Sequence, residues 1–180
     1  MSKKSKILVG LVTVAVVLFA VIQFWIIPAN QEKKAAYAKS QADALTHDIS
    51  TISEYQSAYV GDNSNTRALF DALPLNSISK KFAIDSEACT LTVNYLDSVQ
   101  DIGEEKVQRD LIYNTVAAMA AIDNLAGITY DFSDKSYAFT RTQIEAIFGA
   151  PPSDLLEQEK WKEAVQDKLS SKEFCQQFYK

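Results

Sequence analysis

The sequence is poor in residues that punctuate or staple a chain. Among 180 residues it has 5 glycines, 4 prolines, 2 cysteines and a single histidine. So little glycine and proline excludes a disordered or collagen-like chain. Two cysteines exclude a disulfide-dense mini-domain and a four-cysteine zinc site. One histidine, His47, excludes most histidine-rich metal centres. There is no His-Glu-x-x-His and no glycine loop of the kind that cradles phosphates. What is present, 47% hydrophobic and 23% charged residues, suffices for one ordinary domain with a little left over.

Charge is missing altogether from residues 7–27. As a helix rising about 1.5 Å per residue, this run covers roughly 30 Å, the thickness of a bilayer core. Thr13 and Gln23 are its distinctly polar residues, and Trp25 falls where an interfacial aromatic is expected. The run is longer than the roughly 7–15 apolar residues of a secretory signal. Ala36-Tyr37-Ala38 resembles a cleavage site but lies about ten residues past the apolar end. The expectation is an uncleaved signal anchor: a cytoplasmic tail over 1–6 and a single transmembrane helix over 7–27. Lys3, Lys4 and Lys6 precede the span and Lys33, Lys34 and Lys39 follow it, so the charge contrast is weak. The short basic tail favours a cytoplasmic amino terminus at the cell membrane and an extracytoplasmic main domain. Residues 28–180 then carry 15 basic and 23 acidic side chains, a net of −8. Such a surface repels nucleic acid and anionic headgroups.

Pro28 is expected to close or kink the membrane helix. Residues 31–58 hold neither glycine nor proline and read as helix, giving a helical stalk over 28–58. Ala35, Ala38, Ala42, Leu45, Ile49 and Ile52 recur at spacings of three and four. That stripe fits a stalk pairing with a membrane protein or with a second copy. It fits equally a helix packed on its own domain, or a plain spacer, because alanine seams pack weakly.

An α+β domain is expected over 59–150. Gly61 permits a turn with positive φ. A short helix runs from the Asp62-Asn63-Ser64 cap to Leu73, before Pro74. Phe82 and Ile84 share a strand face with Ile78, on which Lys80 is the exception. Leu91, Val93 and Tyr95 alternate with Thr90, Thr92 and Asn94 in a second strand. A long helix over 103–125 shows a broad apolar face through Val107, Leu111, Thr115, Ala118, Met119, Ile122 and Leu125. A second hairpin sets Ile128, Tyr130 and Phe132 beside Tyr137 and Phe139. Thr142 to Glu145 reads as a capping box and Gly149 as the stop of a short helix. The expected architecture is a four-stranded antiparallel sheet covered by the long helix, burying Leu91, Val93, Tyr95, Ile128, Tyr130 and Phe132. Pro151-Pro152 mark a boundary before a polar helical tail over 151–180, with Leu156, Trp161, Val165, Leu169 and Phe174 as docking residues.

Several of these pieces occur together in a known family. Tyr59-Val60-Gly61-Asp62-Asn63, Leu73-Pro74, Leu91-Thr92-Val93-Asn94-Tyr95, Ala121-Ile122-Asp123-Asn124-Leu125 and Tyr137-Ala138-Phe139-Thr140-Arg141, running on to Phe148-Gly149, stand in that order. In this the chain resembles the bacterial domain of unknown function 4825. The resemblance implies a membrane-tethered extracytoplasmic domain of Gram-positive bacteria. Similar domains are found in short anchored proteins and attached to membrane metallopeptidase sensors. The resemblance implies no activity, no cofactor and no catalytic residue.

Candidate sites are few. His47 beside Asp48 lacks a local nucleophile and orienting acid, so it reads as a surface histidine of the stalk. Asp62 and Asn63 beside Gly61 are the best polar cluster on a loop, fit either for a ligand at a helix amino terminus or simply for a turn and an N-cap. Arg141 can meet a partner carboxylate or pair internally with Asp123 or Asp131. Cys89 and Cys175, both expected outside the cytoplasm, are a candidate disulfide. It would close about 87 residues and contribute roughly 4.6 kcal/mol on the chain-entropy model. The favoured function is a non-catalytic adaptor or sensor that binds a partner or ligand. A membrane-tethered hydrolase of the cell envelope and a structural subunit of a membrane complex are the alternatives.

Overall fold

The computed structural model describes residues 3–179. Met1 and Ser2 of the expected tail and Lys180 of the terminal segment lie outside the described residues, as do the side chains of Lys4 and Lys6 in that tail and of Ile7, Leu8 and Val9 at the start of the expected span. The chain divides into two compact units, Met1–Lys39 and Ser40–Lys180.

The first unit is helical. Helix α1 (Lys3–Val21) passes through a π-helical turn (Ile22–Ile26) into α2 (Ile27–Gln41). Pro28 does not close the helix. Proline has no N–H and its ring crowds the carbonyl four residues back. The wider turn meets that demand one residue earlier, where the Ile27 N–H bonds the carbonyl of Ile22, five residues back. Within Gly10–Gln41 the helix is long and apolar enough to cross a membrane, and none of its most apolar 18-residue window is buried. Phe24 and Trp25 are 83% and 75% exposed. Exposed apolar surface on that scale is what a membrane-spanning helix presents.

The second unit starts where the expected stalk was to continue. The helix stops at Gln41 because the following polar side chains take up backbone groups themselves. The Thr46 hydroxyl donates to the Ser40 carbonyl at 2.8 Å, and Asp43 Oδ1 accepts from the Leu45 N–H at 2.9 Å. Asp48 then caps a 3-10 turn, Ile49–Tyr55, by accepting from the Ser50 N–H. The apolar stripe therefore breaks up. Ala35 and Ala38 are exposed on the helix, whereas Ile49 and Ile52 enter the core with Ala44.

Helix α3 (Asn63–Ala72) leads to strands β1 (Lys80–Asp85) and β2 (Thr90–Tyr95). After a single turn, α4 (Val99–Ile102), comes the central helix α5 (Glu104–Ala121), then strands β3 (Gly127–Asp131) and β4 (Ser136–Thr140) and helix α6 (Arg141–Phe148). The expected α+β architecture is present, with one correction. The sheet runs β1-β2-β3-β4, but β2 and β3 are parallel, so the sheet is mixed rather than antiparallel. The cause is the connection. α5 carries the chain back along the sheet, and a strand–helix–strand crossover delivers its second strand parallel to the first.

The register sets Phe82 opposite Val93, Val93 opposite Tyr130 and Tyr130 opposite Tyr137. All six residues expected on the covered face are buried, from Leu91 and Val93 at 0% to Phe132 at 8% exposure. The other face carries Lys81, Ala83, Thr92, Asn94, Thr129, Ala138 and Thr140. None of these is buried, which is why each strand alternates.

α5 exceeds its expected role. From Asp110 to Ala121 every residue is buried, so the helix is enclosed on all sides. The tail helps enclose it: α7 (Gln158–Trp161) and α8 (Lys172–Cys175), joined by short 3-10 and π turns, belong to the same unit. Trp161, Val165, Leu169 and Phe178 are buried there. α6 is capped by the Thr140 side chain, which accepts from the Gln143 N–H, two residues before the expected box. Gly149, at φ +67, ends α6 as expected.

Candidate functional site

The C-terminal end of α5 exposes carbonyls that the helix itself cannot satisfy. Ser57 and Arg141 cover them, and Asn124 ties the segment that follows to its neighbours. Ser57 lies extended beside Ile122, its N–H bonding the Ala121 carbonyl at 2.8 Å and its carbonyl accepting from the Asp123 N–H at 3.0 Å. Asn124 Oδ1 accepts from the Val60 N–H at 2.7 Å, and Asn124 Nδ2 reaches Cys89 Sγ at 3.4 Å. The Cys89 carbonyl in turn accepts from the Ala126 N–H. Arg141 completes the arrangement. Its Nε donates to the Leu125 carbonyl at 2.9 Å, and Nη2 donates to the carbonyls of Met119 and Ile122 at 2.9 and 2.8 Å.

Arg141 is therefore internal, although its partners are main-chain carbonyls where Asp123 or Asp131 was the expectation. A guanidinium at a helix C-terminus also complements the helix dipole. Burial lowers its pKa, while the charges of Glu145 and Asp123 act the other way. Asp62 Oδ1 accepts from the Asn65 N–H at 3.0 Å, making Asp62 the N-cap of α3, and Asn63 is the exposed first residue of that helix. Gly61 does not use positive φ. A Cβ there would stand 3.4 Å from Ser86 Oγ, an ordinary contact, so neither backbone nor packing requires glycine at this position.

Beside this knot lies a cleft of about 360 Å³ lined by Gln56, Ser57, Ala58, Asp123, Ser153 and Leu156. Tyr59, 70% exposed, follows directly in sequence. The cleft offers backbone and hydroxyl groups with one carboxylate, equipment suited to recognising a polar or cationic group.

The cysteines are free thiols. Cys89 sits near Asn124, beyond the last turn of α5. Cys175 instead lines a second cleft of about 300 Å³ with Glu105, Gln108, Arg109 and Lys172, at the helix's first turns. Arg109 and Ala121 alone are separated by about 18 Å along the helix, whereas a disulfide needs Cα atoms within roughly 7 Å. Burial raises the Cys175 thiol pKa.

His47 is the clearest departure from the sequence reading. It is 3% exposed rather than on a stalk surface. Sequence reasoning also passed over Asp110 and Asn114, and took Thr115 only as part of an apolar face; all three are at 0% exposure on α5. Their signal was there, since they interrupt an otherwise apolar helix with polar groups that would need partners. Asp110 Oδ1 accepts from the Ala44 N–H at 3.0 Å, and Asp110 Oδ2 accepts from Lys106. Lys106 also donates to the Ala42 carbonyl at 2.8 Å, and Arg109 meets Asp43 at 3.2 Å. These bonds fasten residues 42–44 to the first half of α5. Among the described residues no three His, Cys, Asp or Glu side chains gather in a way that could hold a metal ion.

In comparisons with known proteins, no curated protein and no solved structure matches the chain. The model of the family described as "Domain of unknown function (DUF4825)" matches residues 52–142. That stretch begins in the 3-10 turn that enters the core and ends just past Arg141, so it holds both the mixed sheet and the knot at the end of α5. Half of the chain lies within the match, and the chain belongs to the DUF4825 family.

Proposed function

We propose that this is a single-pass membrane protein, amino terminus in the cytoplasm, whose second unit stands outside and recognises a partner protein or ligand without chemically altering it. The reading rests on the helix within Gly10–Gln41, whose apolar window is wholly unburied. An anchored unit with an open polar sheet face and shallow clefts is built to meet other molecules rather than to enclose a substrate. The distribution of acids also favours recognition. A cell-envelope hydrolase using paired carboxylates calls for an acid of raised pKa facing a pocket. Here Asp110, held above the usual carboxylate range by burial, is at 0% exposure and committed to Ala44 and Lys106. The adaptor or sensor role, the signal anchor and the Gram-positive setting all belong to this proposal.

Two measurements test it. Ala38→Cys, in a chain carrying Cys89→Ala and Cys175→Ala, is expected to react with a membrane-impermeant maleimide in intact cells. Labelling only after lysis would reverse the orientation. Photo-crosslinkers at Thr92, Thr129 and Tyr59 are expected to capture one recurrent partner. Self-capture alone would make the protein a homo-oligomer, and no capture from any site would remove the partner reading.

A further inference from the structure

Lys80 is the residue that breaks the apolar alternation of β1. It pairs with Tyr95 across the ladder on the covered face, and only 4% of its side chain is exposed. An ammonium withdrawn from water to that degree requires partners. Nζ has two, Asp71 Oδ1 at 3.2 Å and the Asn76 carbonyl at 3.4 Å. An ammonium has three N–H donors, so one remains to be satisfied. Burial lowers its pKa against the pull of Asp71.

Asp71 is shared. Arg67, one turn earlier on α3, brings Nε to 3.8 Å from Asp71 Oδ2 while staying 73% exposed. Two cations thus face one carboxylate, leaving a single positive charge in a protein whose overall charge is −5. A cleft of about 260 Å³ opens between them, lined by Arg67, Asp71, Asn76, Ser77, Ser79 and Lys80. The two serines bring hydroxyl donors. A simple tie between α3 and β1 would need only Lys80 and Asp71; it would need neither the second cation nor the open, polar cleft.

We propose that this cleft binds a small oxyanion, a carboxylate or a phosphate, with Lys80 at its floor and Arg67 at its mouth. Arg67 forms the planar fork that such groups accept, and Lys80 acts as a fixed point charge beneath it. The anion takes the third Lys80 donor and draws Arg67 away from Asp71. The site needs no partner protein and is independent of the orientation of the anchor.

The test uses the full-length chain, ¹⁵N-labelled, in phosphatidylcholine nanodiscs. It is titrated separately with acetate and inorganic phosphate, with chloride at matched ionic strength as the control. The amides of Arg67, Asn76, Ser77 and Lys80 are expected to shift saturably with at least one oxyanion, and the tighter of the two identifies the ligand class. Arg67→Ala, at an exposed position, is expected to weaken binding about tenfold, and Lys80→Met to abolish it. Should Lys80→Met fail to fold, Arg67→Ala decides. Shifts that chloride reproduces, that fail to saturate with either anion, or that persist unchanged in Arg67→Ala overturn the site.

Discussion

The Tyr113 hydroxyl donates to Nδ1 of His47 across 2.8 Å. The direction follows from the other ring nitrogen. Nε2 lies 3.0 Å from the Ala72 carbonyl, which can only accept, so Nε2 carries the proton and Nδ1 is bare. In the neutral ring that burial favours, these two bonds select one tautomer. Its ring meets Tyr113 edge-on at 5.2 Å, and Tyr113 meets Trp161 edge-on at 5.0 Å. One buried stack thus joins the segment that follows α2, the central helix and the tail.

A pH dependence follows from this stack. Burial lowers the His47 pKa below its ordinary 6.5, outweighing the opposing effects of the Ala72 carbonyl and the Asp48 charge. Between the folded and unfolded pKa values the unfolded chain holds the proton and the folded one does not. The stabilisation is therefore complete above about pH 6.5 and is lost as pH falls through the folded pKa. The urea midpoint of the full-length chain in detergent, followed by near-ultraviolet circular dichroism, is expected to fall between pH 7.5 and 5. His47→Gln should flatten that slope. An equal slope in the variant would assign it to other groups.

Lys106 and Asp110 make a second, separable prediction. Asp110 is at 0% exposure while Lys106 is 36% exposed. Removing the cation alone leaves a buried carboxylate without its counter-charge. Lys106→Met is expected to cost about 2–3 kcal/mol, below the roughly 3–5 of a fully buried pair because solvent screens Lys106. The double variant Lys106→Met, Asp110→Leu should recover much of that loss. A double-mutant cycle in urea measures the coupling, and strict additivity of the two changes would deny it.

The sequence revealed strands more readily than their directions, for a physical reason. Alternation such as Leu91, Val93, Tyr95 against Thr90, Thr92, Asn94 reports that one face is covered, and it is. It does not report whether β2 and β3 run the same way. The helix-bearing connection between them is long enough for the crossover that a parallel pair needs. The apolar spacing of the expected stalk runs on across Asp43, Thr46 and Asp48, whose side chains compete for the backbone and end the helix at Gln41. The surface placement expected of His47 rests on that stalk. Asp62 was legible as a cap because cap chemistry is local. The partners of Arg141 were not, since main-chain carbonyls at a helix end leave no mark in the sequence. Lys80 stood out as an anomaly, but only the fold brings Asp71 and Arg67 to it.

The thiols give a direct check of the fold. With Cys89 and Cys175 near opposite ends of α5, the denatured chain is expected to titrate as two thiols without any reductant. Dithiothreitol should leave the unfolding midpoint unchanged. A thiol count that rises only after reduction would place the two cysteines together and contradict the observed packing of the tail.

Arg141 offers the sharpest separation of structure from recognition. Three carbonyls at and just beyond the α5 terminus, those of Met119, Ile122 and Leu125, depend on its guanidinium. Arg141→Met leaves them without that donor, and a loss of about 2–4 kcal/mol is expected, a lowering of the urea midpoint by roughly 1–2 M. Arg141→Lys should recover less than half. A single ammonium cannot reproduce the fork that sends Nε to Leu125 while Nη2 serves Met119 and Ile122. If Arg141 acts only in this way, capture of a partner in cells will fall in proportion to the folded fraction of each variant. Loss of capture by Arg141→Lys at an unchanged midpoint would instead make the guanidinium a contact residue, and would move the recognition surface to the knot at the end of α5.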